Sequence, residues 1–277
     1  MRELFHLLLP KWWTARARST SSGRGRATRW LFFAIAGGFF WLFVFGVLFR
    51  VLRYFRGIPE IGALLAGKLL GLMLLSFFSL LLLSNIVTSL SSFFLARDLD
   101  LLVSAPVDWL KLYGAKLLET AVNSSWMVVL MALPVFTAYG LIYEGGWWYP
   151  LVALGVFVPL LLIPAVLGSA ITLLLVNIFP ARRTRDILGL VTVLSAAAIA
   201  LLVRLIRPEQ LARPEPFRSL VDFIALLRTP ASPMLPSEWA QAGIMSWLTY
   251  EPDYLPISLL WSTAAVLICL GGALHQR

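Results

Sequence analysis

Residues 30–49 read WLFFAIAGGFFWLFVFGVLF, twenty residues without a charge. An α-helix of that length extends about 30 Å, the thickness of a bilayer's hydrocarbon core. Ala34-Ile35-Ala36 resembles a signal cleavage site, but few apolar residues precede it and the run continues to Phe49. A cleaved signal needs its apolar core ahead of the cut, so the segment reads as a retained span.

Working outward, five further segments have the same character. They run from about Ile61 to Phe94, from Lys116 to Tyr139, over 151–179 with interruptions at Pro159 and Pro164, over 187–206, and over 257–274. Across the 277 residues, 60% are hydrophobic and only 13% are charged, with mean hydropathy +0.85. A soluble domain of this size is about one-quarter charged. Period-two alternation is missing, which argues against a barrel. The fold class is therefore an all-α integral membrane protein of about six transmembrane helices.

Positive charge orients the chain. With the N-terminus inside, the inner segments hold 14 Lys and Arg and the outer segments hold 8, with Lys68 inside a span. Cytoplasmic loops retain Lys and Arg, so the expected topology is N-terminus in, with "RVLRYFRG" at 50–57 as an outer exception. Residues 1–29 then form a basic cytoplasmic segment. In "EGGWWYP", residues 144–150, the rings of Trp147, Trp148 and Tyr149 are expected at the outer headgroups. Residues 207–256 contain eight prolines, a density that forbids a long helix. Two short helices fit, "FRSLVDFIALL" and "PSEWAQAGIMSWL", and both are expected on the outer membrane surface.

The net charge of +9 belongs to these connections, and no nucleic-acid motif accompanies it. Cys269 stands alone, and His6 and His275 sit at opposite ends, so no metal-ligand spacing exists. No Ser/His/Asp arrangement or carboxylate pair points to catalysis, and the expected catalytic, cofactor and metal sites are none. "GALLAGKL", residues 62–69, nearly matches a phosphate-binding loop, but Leu69 replaces the required hydroxyl and the stretch opens an apolar helix.

Charge gathers in one other place, "FFLARDLDLLVSAPVDWLKLYGAK", residues 93–116. Leu95, Leu99, Leu102 and Val103 fall on one helical face, with Arg97, Asp98 and Asp100 opposite, which describes a short amphipathic helix. Pro106 breaks it and suits the first turn of a new helix, where Asp108 favours the positive N-terminal end. Two readings stand, a solvated turn or a docking surface for a cytoplasmic protein. Asn85, Glu119 and Asn123 make a candidate polar path; Glu119 and Asn123 are four apart on one face. Glu119 is barely one turn past Lys116, so the favoured reading sets it at the cytoplasmic interface, and for Asn85, Thr88, Ser89, Ser91 and Ser92 bonding between helices is the commoner role.

"SLSSFFLARDLDLLVSAPVDWLKLYGAKLLE" (89–119), "SSWMVVLMALPVFTAYG" (124–140), "NIFPARRTRDIL" (177–188) and "LPSEWAQAGI" (235–244) together resemble the ABC-2 type permeases, and within them a bacterial group of ABC exporter membrane subunits. The resemblance covers about residues 75–250. It implies a permease subunit in the cell's inner membrane, without ATPase activity of its own, that works with a separate cytoplasmic ABC ATPase, membrane lipids and a second permease copy. Residues 95–112 become the coupling segment, with Arg97, Asp98, Asp100, Pro106, Asp108 and Lys111 as partner-facing residues. Members with this pattern are often longer, with further spans, so the chain reads as a short form or part of a longer protein. The competing readings are a membrane enzyme acting on a lipid carrier, for which Glu119, Asn123 and the inner arginines are the only convergent polar groups, and a membrane assembly factor.

Overall fold

The computed structural model describes residues 25–59, 61–90, 109–178 and 234–275. They form the helices α1 (Gly25–Arg56), α2 (Gly62–Ser89), α3 (Trp109–Ile142), α4 (Tyr149–Ile178), α5 (Pro236–Leu248) and α6 (Leu255–His275). No strand occurs among the described residues. All except α5 are long and apolar enough to cross a membrane, which makes five candidate spans. The expected span at 187–206, the short helix around 217–227 and most of the coupling segment lie outside the described residues.

The helices alternate in direction. Short turns join α1 to α2, α3 to α4 and α5 to α6, and all three turns lie at one end of the bundle, hereafter the turn end. The helix α2 packs against α1, α3, α4 and α5, and α4 touches α2, α3, α5 and α6. Leu70, Leu74, Leu81, Tyr139, Leu160 and Ile244 are fully enclosed where these helices meet. The Tyr139 hydroxyl donates to the Ala66 carbonyl at 2.7 Å and ties α3 to α2. Large apolar side chains also face outward, including Phe39, Phe43, Trp126 and Leu154. In water such a surface would aggregate, whereas in hydrocarbon it is solvated.

Several hydroxyls within the spans satisfy themselves locally. Ser76, Ser79 and Thr137 donate to the carbonyls of Leu72, Leu75 and Leu133, at 2.8, 2.9 and 2.7 Å. These bonds remove the cost of an unpaired donor in lipid.

Several sequence expectations change. The segment 50–57 is mostly not a loop, because Arg50, Arg53 and Arg56 belong to the last two turns of α1. Hydropathy ends a span at its first charge, but a helix continues as long as its basic side chains reach the interface. Pro159 and Pro164 do not interrupt α4, and Pro134 likewise sits inside α3. Proline is tolerated in a packed membrane helix because neighbouring groups re-satisfy the carbonyl it strands. Trp147 and Trp148 are exposed as expected, but Tyr149 is buried and donates to the Phe136 carbonyl at 3.0 Å. Above all, α5 does not lie on a surface. It is packed among α2, α4 and α6, with Ala240 and Ile244 fully enclosed. Pro236 occupies its first position, where the missing N–H costs nothing.

Candidate functional site

Of the residues expected to couple to a partner, Arg97, Asp98, Asp100, Pro106 and Asp108 lie outside the described residues. Lys111 stands in the first turn of α3. The chain leaves α2 and enters α3 at the end opposite the turn end, so the charged stretch joins two helices that pack on each other.

Asn85, Glu119 and Asn123 are not brought to one place. Asn85 is fully buried on α2. Its amide donates to the Leu81 carbonyl at 2.7 Å and its carbonyl accepts from the Ser124 hydroxyl, also at 2.7 Å. Ser124 is therefore the cross-helix partner, while its neighbour Asn123 is exposed. Glu119 is half-buried and pairs with Lys116, one turn before it, at 3.4 Å. The helix α4 closes over the same point. A methyl group at Gly168 would stand 2.8 Å from Asn85 Cβ and 3.0 Å from backbone atoms of α2. Thr172 donates to the Gly168 carbonyl at 2.7 Å and reaches the Ile86 carbonyl at 3.1 Å. One turn further from the turn end, Ser89 on α2 and Thr120 on α3 are fully buried, with hydroxyls that find no partner. The antiparallel register that sets Asn85 against Ser124 brings these two onto the same seam.

A second polar place was not foreseen from the sequence. The helix α5 lies in a notch of α2 made by Gly67 and Gly71. A methyl group at Gly67 would stand 2.9 Å from Gln241 Nε2, and one at Gly71 would stand 3.6 Å from Gln241 Cγ and 3.8 Å from Glu238 Oε1. On its other side, Gly243 admits Ile257 of α6 and Val156 of α4. Small residues are the usual means of such close approach in a membrane.

The depth of this place follows from two helices independently. Gly71 lies nine residues into α2 from Gly62, or about 13 Å below the turn end. Leu248, at the far end of α5, packs against the α3–α4 turn at Gly145, and Glu238 precedes it by ten residues, or about 15 Å. Both estimates set Glu238 about 13–15 Å from the turn end, one turn beyond the level of Lys68. The place thus holds a carboxylate and an amide, one turn apart and both partly buried against α2. Among the described residues neither side chain makes a hydrogen bond or ion pair. The sequence signal was present in "PSEWAQAGIMSWL": a first-turn acid followed by small residues at Ala240 and Gly243 marks a helix built for close packing.

The turn end is held by a separate set of contacts. Arg56 donates to the Ile142 carbonyl and to Glu144 Oε1 at 2.9 Å, joining the end of α1 to the α3–α4 turn. Tyr250 and Trp247 donate to the carbonyls of Glu144 and Gly145, both at 2.9 Å, and fix the α5–α6 turn against it. The α3–α4 turn takes left-handed backbone twice, at Glu144 (φ 54°) and at Gly146 (φ 74°), where glycine adopts it without steric cost. Burial raises the Tyr143 phenol above its ordinary range, and nearby Arg56 opposes part of that rise.

An apolar groove of about 380 Å³ lies between α3 and α4, bordered by Leu133, Phe136, Leu141, Ala153 and Phe157. The hydroxyls that reach it, Thr137 and Tyr149, are already bonded to backbone carbonyls. Among the described residues, no three His, Cys, Asp or Glu side chains gather in a way that could hold a metal ion.

A family model described as "Putative ATP-binding cassette" matches residues 21–276, nearly the whole chain. No curated protein and no solved structure compared with the chain matches it.

Proposed function

The chain belongs to this ABC-transporter-related family, and from that premise we propose that it is the membrane-spanning permease subunit of an ABC-2 type exporter, driven by a separate ATPase. The observation that carries the reading is the bundle of five long apolar helices within a single ABC-related match. The family description names an ATP-binding cassette, so the place of ATP hydrolysis matters. The stretch closest to a phosphate loop, residues 62–69, is the first two turns of α2, and a helix rather than a strand precedes it. That context supports assigning hydrolysis to a partner.

In this reading the turn end faces outward, and the N-terminus and the 95–112 segment face the cytoplasm of a cell with this protein in its inner membrane. The acidic residues Asp98, Asp100 and Asp108 offer the ATPase a contact. The lipid-carrier enzyme reading gains less support: Glu119 is paired with Lys116, and Asn123 faces away from Asn85.

The test is affinity purification of the tagged full chain in mild detergent from its native cells. An ATP-hydrolysing subunit is expected to co-purify, and the double variant Asp98→Lys/Asp100→Lys is expected to lose it together with transport. Retention of both by the double variant would remove the coupling role from this segment.

A further inference from the structure

The groove between α3 and α4 is built for hydrocarbon. Its floor is Phe136, Tyr149, Ala153 and Phe157, all buried. Its rims are Leu133 and Leu141 on α3 and Pro150 and Leu154 on α4, all exposed. Glycine shapes the floor: a methyl group at Gly140 would stand 2.5 Å from Tyr149 Cε1, so the Tyr149 ring fills the space a side chain would take. Phe136 and Phe157 meet edge to face, with ring centroids 5.4 Å apart. The Thr137 and Tyr149 hydroxyls donate to the carbonyls of Leu133 and Phe136, at 2.7 and 3.0 Å. A guest therefore meets apolar surface, and a polar guest would lose its own hydrogen bonds on entering. The volume of about 380 Å³ falls within the range of roughly 300–1,000 Å³ that ligand pockets span.

Direction and reach narrow the guest. The groove begins at the α3–α4 turn, at Gly146 and Pro150, beside the exposed rings of Trp147 and Trp148. Such rings prefer the level of the lipid headgroups. From there it descends to Val129 on α3 and Phe157 on α4. Those residues lie about 18 Å from Leu141 and about 10 Å from Pro150 along their helices. One leaflet of the hydrocarbon layer is about 15 Å deep. The groove thus starts at the headgroups and runs the depth of one leaflet, as an acyl chain does. A membrane helix fits it less well. Close helix contacts in a bilayer are built from small residues, whereas these rims carry three leucines and a proline.

We propose that the α3–α4 groove binds one acyl chain of a bilayer lipid, in the leaflet that contains the turn end, with the headgroup beside Trp147 and Trp148. The bound chain completes the packing between α3 and α4 where no side chain does. The proposal does not rest on the permease reading.

The test uses the purified full chain in phosphatidylcholine nanodiscs, with a trace of phosphatidylcholine that carries a diazirine at the end of one acyl chain. Photolabelled positions are mapped by mass spectrometry. Labelling is expected to concentrate on Val129 and Phe157, at the deep end of the groove. It should exceed severalfold the labelling of Leu130, which is more exposed than either and lies at the same depth outside the groove. Thr137→Phe sets a ring across the groove from an exposed position that the fold does not pack, and should cut the labelling severalfold. Ala153→Leu should do the same from the floor, and Leu130→Phe should change nothing. Labelling spread over the outward-facing apolar residues in proportion to their exposure overturns the proposal, as does undiminished labelling of Thr137→Phe. Protection of both Val129 and Phe157 overturns it too, since residues 187–206 or a second copy would then be the occupant. None of these results touches the permease reading, which stands or falls on ATPase co-purification.

Discussion

Gly168→Ala adds one methyl group at the point where α4 meets α2. The added carbon would stand 2.8 Å from Asn85 Cβ, 3.0 Å from the Asn85 carbonyl carbon and 3.0 Å from the Ile86 nitrogen. Two of those three are backbone atoms of a long helix and cannot swing aside. The helices must therefore separate by several tenths of an ångström. Overpacking of that kind costs about 1–3 kcal/mol. Separation also stretches the Thr172 bond to the Ile86 carbonyl and disturbs the Ser124 bond to Asn85. Cross-helix bonds in a bilayer average about 0.6 kcal/mol each, so the expected loss is about 2–4 kcal/mol in all. Gly155→Ala on the same helix is the control, because nothing lies within 4 Å of its added methyl group. Helix propensity alone favours alanine there by up to about 1 kcal/mol. Reversible unfolding in mixed micelles, by titration with sodium dodecyl sulfate, reads both variants. Gly168→Ala should unfold at markedly lower detergent fraction, and Gly155→Ala at the native fraction or above. Coincident midpoints for the two variants would refute the assignment of Gly168 as the close contact between α4 and α2.

Two further outcomes follow from the same geometry. Ser124→Ala removes the donor to Asn85 and should cost about 0.6–1.7 kcal/mol in that titration, while Asn123→Ala, one residue away and exposed, should cost nothing measurable. Orientation is read by labelling: with Cys269→Ser as background, Trp147→Cys should react with a membrane-impermeant maleimide in intact cells and Asp98→Cys only after permeabilisation, and the reverse pattern would invert the proposed topology.

The spans were legible because a long uncharged run has few alternatives to a buried or membrane helix. Their ends were less so. Arg50, Arg53 and Arg56 signal the interface, yet helix hydrogen bonding continues beneath them. Pro159 and Pro164 break helices in water, where a freed carbonyl is readily hydrated and nothing restores the turn. Inside a bundle the surrounding helices hold it. The polar seam was half legible. Asn85 was identifiable as a buried amide within an apolar run, but its partner was not. Asn123 and Ser124 are adjacent and both polar, and one residue turns the side chain by about 100°. Only packing decides which of the two faces α2. The residues Glu238 and Gln241 were missed for a different reason. Proline density correctly excludes a long helix from residues 207–256, but it carries no information about depth, and a 13-residue helix lies as readily on a surface as inside a bundle.

The two polar places share one element. The helix α2 carries the notch for α5 at Gly67 and Gly71 and, about 21 Å further along from Gly71, Asn85 at the seam with α3 and α4. It contains no proline, unlike α3 and α4, so no proline kink divides it. On the proposed reading its far end leads directly into the segment that an ATPase grips. On that reading a push there would tilt α2 about its polar seam, where Asn85, Ser124 and Gly168 bring it close to its neighbours. The same tilt would change how closely the glycine notch of α2 holds Gln241. A substitution at Gly168 that loosens the seam should therefore weaken the coupling between ATP hydrolysis and transport more than it changes hydrolysis itself, since the pivot is lost and the grip is not. Equal loss of both activities would mean that the seam only holds the fold together.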